Sequence, residues 1–155
     1  MRLLSLLAAG CAGVASVSAH ATFQQLWING VDAGSSCARI PQTGDDVTVE
    51  MHQQPGDRAC RNEAIGGNHY GPVLVYMAAV TDARTAVGSA SNWFKVSHMG
   101  LVSSNPDYFG SRVLNDNCGH YTFKIPANLA PGNYLLRAEV IGEHTHFIPT
   151  PSTPR

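Results

Sequence analysis

The chain has 155 residues, with ten Lys+Arg against eleven Asp+Glu and only 14% of residues charged. That near-neutral balance supplies no basic stripe to follow a phosphate backbone, so nucleic acid is not an expected partner. Beyond the N-terminal leader no apolar run reaches membrane-spanning length, and what remains suits one domain with its own core.

Residues 1–19 begin with one basic residue, Arg2, continue as an apolar run, and end in the small residues Val17-Ser18-Ala19. This is the layout of a secretory signal peptide, too short and wrongly flanked for an anchor. The expected product is therefore extracellular, and cleavage after Ala19 makes His20 its first residue. A terminal histidine offers two nitrogens, the α-amine and ring Nδ1, which close a chelate on one metal ion. Nitrogen donors of this kind suit copper, and Cu(II) heads the divalent affinity order.

Six segments read as strands. Residues 22–29 are aromatic and β-branched and end at the turn dipeptide Asn29-Gly30. Residues 46–51 alternate Val47, Val49 and Met51 against Thr48 and Glu50, the period of a half-buried strand. Residues 72–79 are continuously apolar and fit a strand covered on both faces, and residues 93–96 form a short one. Residues 120–125 and 134–141 alternate again, and Ala130-Pro131-Gly132-Asn133 between them carries the chemistry of a type II turn. Fifteen glycines and nine prolines, with no helical period, predict an all-β antiparallel sandwich. Residues 145–155 hold three prolines and no periodic pattern, which predicts a disordered tail.

Cysteine use agrees with an oxidising compartment but leaves a remainder. Cys11 leaves with the leader, and Cys37, Cys60 and Cys118 stay, so at most one intramolecular disulfide can form. Cys60 with Cys118 is the favoured pair, leaving Cys37 over, although the other pairings remain open.

Seven histidines form the main polar signal. His69 lies in Gly66-Gly67-Asn68-His69-Tyr70-Gly71-Pro72, a loop directly before the apolar strand, where the strand behind it would hold the ring rigid. His144 follows the last strand, seven residues after Arg137, which shares a sheet face with Glu139. His52 extends the strand ending at Met51 and reads as structural. Hydrolytic glycosidase chemistry needs two carboxylates flanking the bond, and nothing pairs Asp45, Asp46, Glu63 or Glu139 across a cleft.

The stretches HATFQQLWINGVDAGSSCARIP, VTVEMHQQPGDRACRNEAIGGNHYGPVLVYM, NWFKV and IPANLAPGNYLLRAEVI, with His144 after them, resemble the fungal lytic polysaccharide monooxygenases of auxiliary-activity family nine, once called family 61 glycoside hydrolases. The resemblance covers nearly all of residues 20–144 and implies an immunoglobulin-like β-sandwich. It implies one copper ion in a histidine brace, with His20 giving its amine and ring nitrogen and His69 the third nitrogen. His144 takes the position of the histidine that hydrogen-bonds the oxygen co-substrate without ligating the metal. The implied activity is oxidative cleavage of cellulose or a related β-1,4-glucan at C1 and/or C4, using O2 or H2O2 and an external reductant. A monomer working at a glucan surface, without membrane or nucleic acid, is the expected setting.

Two departures from the family pattern stand out. After His144 the family continues approximately GAQFY and then a cysteine, whose glutamine and axial tyrosine have no counterpart in THFIPTPSTPR. Between Pro41 and Asp46 the family carries some thirty further residues. The expectation is a truncated sandwich lacking its last core strand. The alternative outcomes are a copper-holding domain without turnover and a chain that does not fold stably.

Overall fold

The computed structural model describes residues 22–32 and 43–144. The leader with His20, the segment holding Cys37 and the Pro-rich end with His146 therefore lie outside the described residues. In chain order the strands are β1 (Thr22–Ile28), β2 (Val31–Asp32), β3 (Asp46–His52), β4 (His69–Tyr70), β5 (Val73–Val80) and β6 (Phe94–Met99). They continue with β7 (Leu101–Ser104), β8 (Asp107–Phe109), the helix α1 (Gly110–Asp116), β9 (His120–Lys124), β10 (Asn133–Val140) and β11 (Glu143–His144). A 3-10 turn occupies Gly88–Ala90.

Two antiparallel sheets carry the fold, one ordered β2-β1-β3-β9 and the other β10-β5-β6. Alternation decides which side chains meet between them. From the first sheet Val47, Val49, Met51, Tyr121 and Phe123 point inward, and Val73, Val75 and Met77 do so from the second, all buried. A hydrogen bond of 2.7 Å between the hydroxyls of Ser97 and Tyr121 ties the two layers. The apolar run of β5 is covered on both faces over Val73, Leu74 and Val75, as its unbroken hydrophobicity predicts.

The six expected strands all form, with ends shifted by at most three residues. The Asn29-Gly30 dipeptide closes β1 onto β2 with Ile28 opposite Val31, and both residues hold positive φ (49° and 75°). Those are the angles of a two-residue hairpin turn, which asparagine and glycine tolerate best.

The expected type II turn at Ala130–Asn133 is corrected. Its third residue would need φ near +80°, and Gly132 is not among the residues of positive φ. The segment joins β9 of one sheet to β10 of the other, so it is a crossover and not a hairpin. The Tyr134 hydroxyl donates to the Ala130 carbonyl at 2.8 Å and the Asn133 amide to Thr81 at 2.9 Å, which shapes the loop without that turn.

The short helix α1 escapes a search for helical periodicity because seven residues span barely two turns. It buries Gly110, Ser111 and Leu114 and ends beside Cys118, which is bonded to Cys60.

Candidate functional site

His69 gains its position from the loop of residues 53–68 and from α1 behind it. The Cys60–Cys118 disulfide ties that loop to the end of the helix. Asn115 grips the loop's backbone at both poles of one residue, accepting from Ile65 N–H at 2.9 Å and donating to Ile65 C=O at 3.0 Å. Just past the histidine, Gly71 N–H donates to the buried Ser111 hydroxyl at 3.2 Å, and Gly71 C=O accepts from Ser111 N–H at 3.0 Å. The chain is thus clamped on both sides of His69 by one helix.

The ring itself is oriented by its own loop, since His69 Nδ1 bonds the Gly66 carbonyl oxygen. A carbonyl only accepts, so Nδ1 carries the proton and Nε2 the lone pair. A metal-binding histidine ordinarily has this arrangement, one ring nitrogen donating to a carbonyl and the other offered to the ion. The ring therefore fits a copper site as an imidazole donor through Nε2.

His144 reaches the same place from the other end of the chain. The strands β4 and β11 form a two-residue antiparallel ladder in which Tyr70 opposes Glu143 and His69 opposes His144. Immediately before that ladder Gly142 passes over the His69 ring. A methyl group built there would stand 3.0 Å from the ring's Cδ2 and 3.2 Å from its Cβ. Glycine is what allows this close approach. The sequence reading does not single out Gly142, Ser111 or Asn115; a glycine between a strand and a candidate site histidine is the one signal that points to any of them.

Tyr70 alternates with His69 and packs its ring against Phe109, with centroids 6.0 Å apart. His20, the expected first ligand, lies outside the described residues. Among the described residues no three His, Cys, Asp or Glu side chains form a metal-holding group.

His52 takes the structural part expected of it. It is 2% exposed and its Nε2 lies 2.8 Å from Glu50. Glu50, also buried, accepts from Arg58 twice at 2.7 Å and from the Trp27 indole at 2.7 Å, and His120 Nε2 lies at 3.2 Å. Burial pushes the carboxyl pKa up, but the hydrogen bonds from Arg58, Trp27 and His52 outweigh it, and the value falls from 4.5 to about 2. Glu50 is thus held as a carboxylate that pins β1, β3 and β9 on the outer face of the first sheet. Trp27 and His120 also meet edge to face at 5.4 Å. Alternation predicts that Glu50 faces away from the core, and nothing in the sequence signals that donors bury it there.

Comparison with known proteins agrees with this frame. The profile of Auxiliary Activity family 9 (formerly GH61) matches residues 32–148. The AA9 family lytic polysaccharide monooxygenase AA9-X282 of Trametes coccinea is 62% identical over 159 residues, covering 84% of this chain and 58% of its own length. AA9 family lytic polysaccharide monooxygenase B of Thermothielavioides terrestris is 45% identical over 180 residues, covering 93% and 55%. The chain thus spans little more than half the length of these curated relatives. The crystal structure of HiLPMO9B superposes with a TM-score of 0.60 at 24% identity, covering 81% of this chain and 71% of that one, a likeness of fold. By sequence, the chain belongs to Auxiliary Activity family 9.

Proposed function

We propose that the chain is the core of a secreted, copper-dependent lytic polysaccharide monooxygenase acting on cellulose or a related β-1,4-glucan, with oxidation at C1 and/or C4. The observation that carries this is the clamped His69 ring, with Nδ1 bonded to Gly66 and His144 set opposite it in the ladder. His20, through its amine and ring nitrogen, and His69, through Nε2, are the proposed holders of one copper ion. Bound copper supplies one-electron chemistry between Cu(I) and Cu(II), drawing on an external reductant and on O2 or H2O2.

The protein's own contribution is orientation. The loop of residues 53–68 fixes the imidazole, and the β4–β11 ladder fixes the backbone of His144. We assign His144 the role of a hydrogen-bonding and proton-holding residue for the oxygen co-substrate. Residues 1–19 are assigned to the removed leader. Among the described residues no helix is long and apolar enough to cross a membrane.

The test is a Cu(II) titration of protein beginning at His20, followed by electron paramagnetic resonance and then by product analysis on cellulose. A one-to-one, nitrogen-rich axial spectrum lost in His69→Ala, with oxidised oligosaccharides that vanish on chelation, is the expected result. Weak heterogeneous copper overturns the site. Tight copper without oxidised products replaces the monooxygenase with a copper-holding domain.

A further inference from the structure

Strand β1 carries one residue more than its partner. Phe23 sits opposite Met51 and Gln25 opposite Glu50, so three residues of β1 span two of β3 and Gln24 is the extra residue of a bulge. The bulge explains why Phe23 and Leu26 both pack on the core. In a regular strand, residues three apart would point to opposite faces. Gln24 turns its side chain to the loop of residues 53–68, donating to Gln54 C=O at 2.8 Å and accepting from Gly56 N–H at 2.6 Å. The residues it grips form a turn. Asp57 N–H donates to Gln54 C=O at 3.1 Å, Pro55 holds the second position, and Gly56 has φ 81° at the third. This is a type II turn, in which glycine accepts the positive φ. A second bridge runs beside the first, where the Trp27 indole of β1 and the Arg58 guanidinium of the loop meet on Glu50.

These contacts join the two stretches assigned to copper. His20 lies four residues before Gln24, and Gly66, whose carbonyl orients His69, lies ten residues after Gly56. We propose that Gln24 is a positioning residue for that site. Its two hydrogen bonds lock the start of β1 to the loop before His69, so the two ligand-bearing segments keep one spacing. That role depends on the copper reading of His20 and His69; the clamp itself does not. The partners fix the orientation of the amide, since Gly56 N–H can only donate and Gln54 C=O can only accept. Two bonds from one planar amide set direction as well as distance, so β1 cannot slide along the loop without breaking at least one. The bulge adds a second constraint. Removing the extra residue would turn Phe23 out of the core, so the bulge sets the phase with which the chain leads back towards His20.

Amide hydrogen exchange of the copper-free mature chain, read by nuclear magnetic resonance, tests the clamp, and a Cu(II) titration of the same proteins tests what it serves. Gln24→Leu removes both hydrogen bonds, which lie at the surface, at similar side-chain size. The fold should therefore persist, with β5 and β9 protected as in the parent. The Gly56 amide should exchange about tenfold faster, and those of Thr22 and Phe23 should accelerate with it. Copper affinity should fall about tenfold with a changed axial spectrum. Gln24→Glu keeps the acceptor for Gly56 N–H and loses the donor to Gln54, so it should recover part of the Gly56 protection and part of the affinity. Unchanged exchange at Thr22 and Phe23 in Gln24→Leu would overturn the proposal, as would faster exchange there with an unaltered copper titration and spectrum. Uniformly faster exchange through both sheets would also overturn it, making Gln24 a support of the whole sandwich. A parent whose clamp is firm but which takes no one-to-one copper fails differently: it overturns the copper reading, and the positioning role with it.

Discussion

His69 and His144 stand opposite each other in a two-residue antiparallel ladder, although 75 residues of sequence separate them. The ladder joins the loop before β5 to the segment after β10, and those two strands are themselves paired along their full length. The histidine pair therefore sits at one end of a long hairpin-like ribbon, and its spacing follows from the β5–β10 register. A register slip would move His144 from its place opposite His69, so the pairing that builds the core also sets this backbone alignment.

Gly142→Ala should disturb this arrangement without unfolding the protein. The new methyl would lie 3.0–3.4 Å from three atoms of His69, so the ring must yield by a few tenths of an ångström. Overpacking of this kind at a partly exposed position costs about 1 kcal/mol or less in stability. A metal site is less forgiving, and the proposed copper affinity should fall about tenfold with a changed axial spectrum. An unchanged copper titration would show that the Gly142 approach does not position the ring.

The Cys60–Cys118 disulfide closes a loop of 58 residues. Chain-entropy reasoning gives it roughly 4 kcal/mol of stability, a large share of the total for a domain this size. Cys60→Ser should lower thermal stability accordingly and raise the proteolytic sensitivity of residues 53–68 before the rest of the chain. Equal sensitivity throughout would mean that the bridge stabilises the whole sandwich and does not selectively hold this loop.

Much of this frame is legible in the residues. Two-residue alternation marks β3, β9 and β10 because each has one core face, and the unbroken run marks β5 because both of its faces are covered. His69 and His144 stand out by their placement beside strands, but their pairing is not legible, since two-residue ladders such as β4–β11 are too short to show a period. The β7–β8 hairpin is missed for a related reason: all four residues of β7 are exposed, so no core face imposes an alternation. Glu50 reads as a solvent-facing strand residue, and its burial depends on Arg58 and Trp27 folding over it from distant positions. The Cys60–Cys118 pair that the sequence favours forms.

Glu50 should make stability depend on acid. Its carboxyl titrates near 4.5 when unfolded and at about 2 when folded. A depressed folded value means that the stabilisation is fully present above pH 4.5 and is lost as pH falls towards 2. The shift corresponds to about 3 kcal/mol, shared among the hydrogen bonds from Arg58, Trp27 and His52. Glu50→Gln should destabilise the protein near neutral pH, by leaving Arg58 and the buried His52 without their charged partner, and should flatten the acid limb. Denaturant midpoints measured between pH 2 and 7 for parent and variant check this, and parallel curves would rule out Glu50 as the source of the limb.

Asn115 links the helix to the loop before His69 through one residue, and its two hydrogen bonds to Ile65 are separable from packing. Asn115→Ala leaves the Ile65 N–H and C=O without these partners in a part-buried setting, a cost of about 2 kcal/mol. If the loop is a locally opening unit, the loss should appear as faster hydrogen exchange at Ile65 and across residues 62–69, with β3 and β5 protected as before. The copper titration should weaken in parallel, because the Gly66 carbonyl that orients His69 belongs to the same loop. Asn115→Asp keeps the acceptor for Ile65 N–H and removes the donor to its C=O, so it should recover part of the protection at Ile65. Uniformly accelerated exchange through both sheets would instead make Asn115 a contributor to global stability, with no particular hold on the loop.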